Sequence, residues 1–260
     1  MLLPFNKINI VQNHFDEVNP LTSTAYNASL FDLVQKNEAI LHLWTTTPAV
    51  ALGHRDKQLP HLDVARTWLH SNNYASYIRS AGGLAVVSDT GILNVSLIFQ
   101  QPDVPLSING AYDLAVNLIQ QALPELKIST NEIVGSYCPG SYDLSINHRK
   151  IAGLAQRRYR NKIAVSLYLS VSGDQETRGT LIRQMYQQGL QQTTITAPYP
   201  DVKPQTMMNL DAVSDISVPE FSQRLITAWQ PFLPHEQLQL PTDFSINNQL
   251  EILEKRQPTT

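Results

Sequence analysis

The chain of 260 residues is short of several things, and each shortage excludes a class of protein. It has one cysteine, Cys138, so neither an internal disulfide nor a multi-cysteine metal site is available. Charged residues make up 16% of the chain, the net charge is −3, and the lysines and arginines are scattered rather than banked. That pattern argues against a nucleic-acid surface or a polybasic membrane anchor, and a protein or small-molecule partner is expected instead. No apolar run approaches the roughly 20 residues that span a bilayer. The start, MLLPFNKINIVQNHF, lacks the basic region and apolar core of a signal peptide, so a cytoplasmic protein is expected. The seven histidines show no HxxxH or HExxH spacing, and no metal is expected. Neither GxGxxG nor a P-loop occurs, and there is no repeat, low-complexity tract or linker that would split the chain.

What the chain has is 42% apolar residues, enough for a sizeable core, arranged with mixed periodicities. Helical spacing occurs over Ala28–Glu38, His61–Asn73, Ser107–Leu123 with Ser107 as N-cap, and from Asp174 to about Gly189. Strands are expected at Ala39–Trp44, Pro48–Gly53, Ala75–Arg79, Leu84–Val87, Ile92–Phe99 and Lys162–Val171, with turns at Ala81–Gly83 and Ser88–Gly91. His54–Lys57 reads as a charged loop. A proline-bearing stretch, QQTTITAPYPDVKPQTMMNL, reads as a surface crossing before helices at Pro219–Trp229 and Ile246–Lys255. The economical architecture is one α+β domain over residues 1–260, with a core at about 30–190 and a helical extension at about 215–260.

Two stretches carry chemistry. The first, RSAGGLAVVSD, joins two strands through Gly82 and Gly83, where main chain can approach a ligand closely and present N–H groups to an oxygen. The plain alternative is a hairpin turn, with Arg79 paired to Asp89 across it. The second, GSYCPGSYDLSINHRKIAGLAQRR, puts Cys138 in a Gly- and Ser-punctuated loop twelve residues ahead of Lys150. A hairpin between them, with Asp143 in its first strand, returns the amine toward the thiol. The thiolate is the attacking form of cysteine, and a neighbouring cation favours it. His148 shares a strand face with Lys150 if both lie in that strand. The bland alternatives are a small buried thiol and a solvated turn lysine.

These stretches, together with PAVALGHRD, resemble the biotin/lipoate A/B protein ligase superfamily, in particular its octanoyl-[GcvH]:protein N-octanoyltransferase (amidotransferase) branch. The likeness runs from about residue 30 to the C-terminal helices. It implies a mixed β-sheet flanked by helices and an octanoyl or lipoyl group carried as a thioester on Cys138. It makes Lys150 the group that activates the thiol and contacts the acyl carbonyl, with Arg79, Gly82 and Gly83 lining the acyl pocket and Asp143 behind them. The implied donor is glycine cleavage H protein, and the implied acceptors are lipoyl domains of 2-oxoacid dehydrogenase E2 subunits. No cofactor, nucleic acid or membrane is implied. Main-chain N–H groups of Ser136–Gly140 are candidates for the oxyanion, and Leu84, Val86 and Ile151–Leu154 for an acyl tunnel. Alternatives are an octanoyl-carrier-protein-dependent octanoyltransferase, an ATP-dependent lipoate–protein ligase, and a non-catalytic acyl-lysine binder on the same fold.

Overall fold

A computed structural model describes residues 3–16, 19–79, 82–191, 193 and 199–258. Ala81 of the expected turn, and Gln192 and Thr194–Pro198 of the expected surface crossing, lie outside the described residues. The strands are β1 (Lys7–Phe15), β2 (Glu38–Thr46), β3 (Ala49–Leu52), β4 (Ala75–Ile78), β5 (Val86–Ser88), β6 (Ile92–Gln100), β7 (Ser129–Thr130), β8 (Leu144–Ile146), β9 (Arg149–Tyr159), β10 (Lys162–Ser170) and β11 (His235–Gln237). The helices are α1 (Thr22–Leu33), α2 (Leu62–Ser71), α3 (Ile108–Ala122), α4 (Gln175–Leu190), α5 (Val218–Thr227) and α6 (Asn247–Glu254).

Among the described residues eight strands form one mixed sheet in the order β11-β1-β2-β6-β10-β9-β8-β7, and β4-β3-β5 form a second, smaller sheet. β1 runs parallel to β2 and β11, whereas β2, β6, β10, β9 and β8 pair antiparallel in succession. The period-2 alternation of β10 separates two environments. Ile163, Val165, Leu167 and Leu169 point into a core shared with Leu114, Leu118 and Ile119 of α3 and Phe221 and Leu225 of α5. Ala164 and Tyr168 point the other way, toward α1 and the small sheet. α2 and α4 cover the small sheet, joined to it by Leu69, Leu181, Ile182 and Met185.

Ser107 caps α3 as expected, its hydroxyl accepting the Gly110 N–H at 2.9 Å, and Asp174 caps α4 by accepting from Thr177 at 2.9 Å. The first helix differs from expectation: α1 begins at Thr22 and ends at Leu33, because Thr22, Ser23, Ala25 and Ala28 supply a buried face of small residues that carries little hydrophobic signal. The sheet also extends beyond the expected core at both ends, through β1 and through β11 in the C-terminal part. Among the described residues no helix is long and apolar enough to cross a membrane.

Candidate active site

The β8–β9 connection is a two-residue turn, Asn147-His148, with φ of 49° and 61°. Positive φ at both central residues is the primed turn that matches strand twist, and asparagine tolerates it best. The turn holds His148 exposed and outside both strands, so its expected shared face with Lys150 does not form. Asp143 likewise lies just before β8 rather than within it.

Lys150 enters β9 and is 1% exposed. Its Nζ donates to Asp143 Oδ1 at 2.8 Å, to the Cys138 carbonyl at 2.8 Å, to the Tyr137 carbonyl at 3.0 Å and to Ser136 Oγ at 3.3 Å. An ammonium has three protons, so these four acceptors absorb its whole capacity. Asp143 also accepts from the Ile133 and Gly140 N–H groups, both at 3.2 Å. Burial outweighs these favourable contacts and holds its carboxyl above the ordinary value. The hairpin therefore brings Lys150 to the cysteine as expected, but to its carbonyl, and the bonds tie down the loop rather than the sulfur.

Cys138 has φ +46°, a left-handed conformation that a non-glycine residue holds only when its surroundings over-determine it. Its sulfur accepts from the Leu84 N–H at 3.2 Å and from Arg79 Nη2 at 3.6 Å. The same Nη2 donates to the Leu84 carbonyl at 3.1 Å, and Arg79 Nε is buried without a hydrogen-bond partner among the described residues. Asp89, the expected partner of Arg79, is taken by Arg178 of α4 through a two-pronged ion pair of 2.6 and 2.7 Å. Gly83 has φ +90°, and a Cβ there would lie 2.9 Å from both the sulfur and Arg79 Nη2. Among the described residues nothing lies within 4 Å of where a Cβ on Gly82 would be. Two of the expected oxyanion donors are committed elsewhere, Ser136 N–H to the Ile133 carbonyl and Gly140 N–H to Asp143.

From the sulfur a cavity of about 130 Å³ runs between the large sheet, the small sheet and α1. Arg79, Ala51, Tyr77, Val86 and Tyr168 line it near Cys138, and Ala155, Ala164, Arg157 and Phe31 lie farther along. Arg157 stands over the Phe31 ring at 5.1 Å. Of the expected tunnel residues, Val86, Gly153 and Leu154 line the cavity, whereas Ile151 and Ala152 belong to the core shared with α3. Leu84, Gly82 and Gly83 are not among the lining residues. The space that Gly153 leaves is filled by the Tyr168 ring, 2.7 Å from where its Cβ would be. The lining is also less apolar than a plain tunnel, since Thr24, Asn27, Asn94 and Ser166 share it. Beneath Asn27 and Trp44, burial pushes His42 down to about 3, so it is a neutral ring held by Asn27 and Asn13.

Sequence reasoning missed Asp56 and Tyr186. The expected charged loop His54–Lys57 is a 3₁₀ turn in which Asp56 is fully buried, accepting from the Gly53 N–H at 2.7 Å and the Tyr186 hydroxyl at 3.0 Å. A glycine three residues before an acid was the available signal, the pattern of an acid reaching back to a helix-start N–H. Among the described residues no group of three or more His, Cys, Asp or Glu side chains is placed to hold a metal.

Residues 19–230 match the family model of the lipoyl protein ligase A/B catalytic domain. The chain belongs to that family. Its curated relatives include the octanoyl-[GcvH]:protein N-octanoyltransferase of Lysinibacillus sphaericus, 41% identical over 76% of this chain and 73% of that protein. The enzyme of the same name from Anoxybacillus flavithermus is 39% identical over 81% of this chain and 78% of its own length. These identities place the chain among the family's octanoyltransferases. The fold is shared with lipoate-protein ligase A bound with ATP, at TM-score 0.72 and 16% identity over 97% and 95% of the two chains. It is shared too with a bi-partite lipoate protein ligase from Thermoplasma acidophilum, at TM-score 0.70 and 16% identity over 97% and 92%.

Proposed function

We propose that this octanoyltransferase takes an octanoyl group from a lysine of glycine cleavage H protein, holds it as a thioester on Cys138, and passes it to a lysine of an E2 lipoyl domain. The observation that carries this reading is the Cys138 sulfur, facing two donors at one end of a cavity of about 130 Å³. The sulfur attacks the amide carbonyl of the donor, the C–N bond breaks, and the thiol proton ends on the leaving lysine amine. The acceptor amine then attacks the thioester, the C–S bond breaks, and a proton from the amine returns to the sulfur. One amide replaces another, so the net free energy is near zero and the cycle calls for no ATP.

Attack on an amide concentrates charge on oxygen, and each placed donor is worth about 3 to 4 kcal/mol there. The Leu84 N–H and Arg79, whose Nε has no hydrogen-bond partner among the described residues, are the donors at hand. Lys150 and Asp143 hold the loop so that Cys138 keeps its left-handed geometry. The acyl chain lies along β9 and β10, where Gly153 to Arg157 spans about 13 Å of extended strand. Each methylene buried there contributes about 0.8 kcal/mol.

The test offers three donors separately: octanoylated H protein, octanoyl-carrier protein, and octanoate with ATP, each with an apo lipoyl domain. Octanoylated H protein should load the domain and leave an octanoyl adduct on the chain by intact mass, and Cys138→Ser should lose both. An adduct that survives in Cys138→Ser refutes the thioester. Loading only from carrier protein, or only with ATP, reassigns the donor.

A further inference from the structure

Behind the sulfur lies a buried network that the reaction itself does not use. Asp56 is fully buried, and its two oxygens accept from the Gly53 N–H at 2.7 Å and the Tyr186 hydroxyl at 3.0 Å. The Tyr186 oxygen in turn accepts the Ala85 N–H at 3.1 Å. Ala85 follows Leu84, whose N–H meets the sulfur. Gly53 is held flush against the same segment: a Cβ on it would lie 2.0 Å from the Gly83 carbonyl oxygen. Gly83-Leu84-Ala85 is thus held from the front by Cys138 and Arg79, and from behind by Gly53 and Tyr186, which both converge on Asp56.

We propose that Asp56 and Tyr186 are positioning residues that hold the Leu84 N–H on the Cys138 sulfur, and that Asp56 must be ionised to do so. The inference rests on Cys138 being the acyl carrier, and it adds what sets that sulfur's surroundings. A carboxylate accepts from Tyr186 and leaves the phenol oxygen free for the Ala85 N–H. Once protonated, Asp56 carries a hydrogen on one of its two oxygens, which then faces a donor, the Gly53 N–H or the Tyr186 hydroxyl, instead of accepting from both. A buried donor left without its acceptor at Gly53 or Tyr186 then shifts the segment that carries Leu84, because Gly53 lies flush against Gly83 and Tyr186 accepts from Ala85.

The geometry is matched by the titration. Burial pushes Asp56 up to about 6, against the hydrogen bonds from Gly53 and Tyr186 and the pull of Arg79 and Arg55. The other titratable groups facing the network are Cys138 and the phenols of Tyr186 and Tyr199, whose rings lie 5.1 Å apart. Burial pushes both phenols up, away from this range. His54 and Lys57, on the same turn as Asp56, are exposed.

Alkylation of Cys138 by iodoacetamide, followed by intact mass from pH 5 to 7.5, reads the sulfur without any acyl donor. At pH 7.5, Asp56→Asn and Tyr186→Phe should each react about tenfold more slowly than the wild type, the worth of one hydrogen bond to a charged group. For Asp56→Asn that ratio should close to about twofold at pH 5, where about nine-tenths of the wild-type carboxyl is itself protonated. A ratio independent of pH, or Tyr186→Phe reacting at the wild-type rate, overturns the proposal, because a merely structural role lowers stability and leaves the pH profile alone. Circular dichroism checks the fold, and if Asp56→Asn fails to fold, Tyr186→Phe decides alone. Octanoyl loading from H protein is measured in parallel. Wild type that never loads, with the alkylation pattern intact, defeats the acyl-carrier reading and leaves the positioning role standing.

Discussion

At Cys138 the sulfur meets donors, and no histidine or carboxylate is among its hydrogen-bond partners in the described residues. Donors stabilise charge on sulfur before attack and charge on oxygen after it, so one constellation serves both steps. Holding it requires residues in uncomfortable states: a left-handed cysteine, a lysine 1% exposed, and a fully buried carboxyl. For Asp56 the discomfort can be measured. Its folded value of about 6 stands above the ordinary 3.8, so the native state binds a proton more tightly than the unfolded chain. The resulting stability is fully present below pH 3.8 and is lost as pH rises through about 6; the gap is worth roughly 3 kcal/mol. Relative to Asp56→Asn, the wild type should therefore gain up to about that much unfolding free energy between pH 7 and pH 4, read by urea denaturation. Parallel stability curves would mean that folding leaves the Asp56 carboxyl at its ordinary value.

At the scale of elements, β10 divides the protein. Its odd residues feed the core under α3, and its even residues Ala164, Ser166 and Tyr168 line the cavity. Small side chains at Ala155 and Ala164 keep that space open between the strands and Phe31 of α1. Filling the far end should shorten the chain that fits. Ala164→Phe is expected to lower octanoyl loading at least tenfold while leaving hexanoyl loading within about threefold of wild type, since each excluded methylene forfeits about 0.8 kcal/mol. A variant that kept the wild-type preference between the two chains would show that the acyl group lies elsewhere.

In the whole molecule, the large sheet insulates the site from the second core. Trp229, 1% exposed, packs beside Phe5 with ring centroids 5.8 Å apart and donates to Asn117 at 3.2 Å, on the sheet face opposite the cavity. Trp229→Ala should cost about 3 to 5 kcal/mol of stability, typical of truncating a large buried aromatic. Octanoyl loading per folded molecule should be unchanged at low temperature. A matching loss of loading would show that the two faces are coupled.

Local pattern was enough for much of this. Period-2 alternation marked β10, Ser107 marked the start of α3, and the spacing from Cys138 to Lys150 marked a hairpin, because each is written in neighbouring residues. Loop and turn chemistry also singled out Cys138, Lys150, Arg79, Gly83 and Asp143, all of which converge on one place. What the tertiary structure decided is who touches whom. Arg79 turns to the sulfur because Arg178, distant in the chain, claims Asp89. Lys150 is spent on main-chain carbonyls, and Asp56 reaches Tyr186 across 130 residues. A charged side chain in a sequence announces its chemistry, but its partner, and whether water remains beside it, follow only from how distant segments pack.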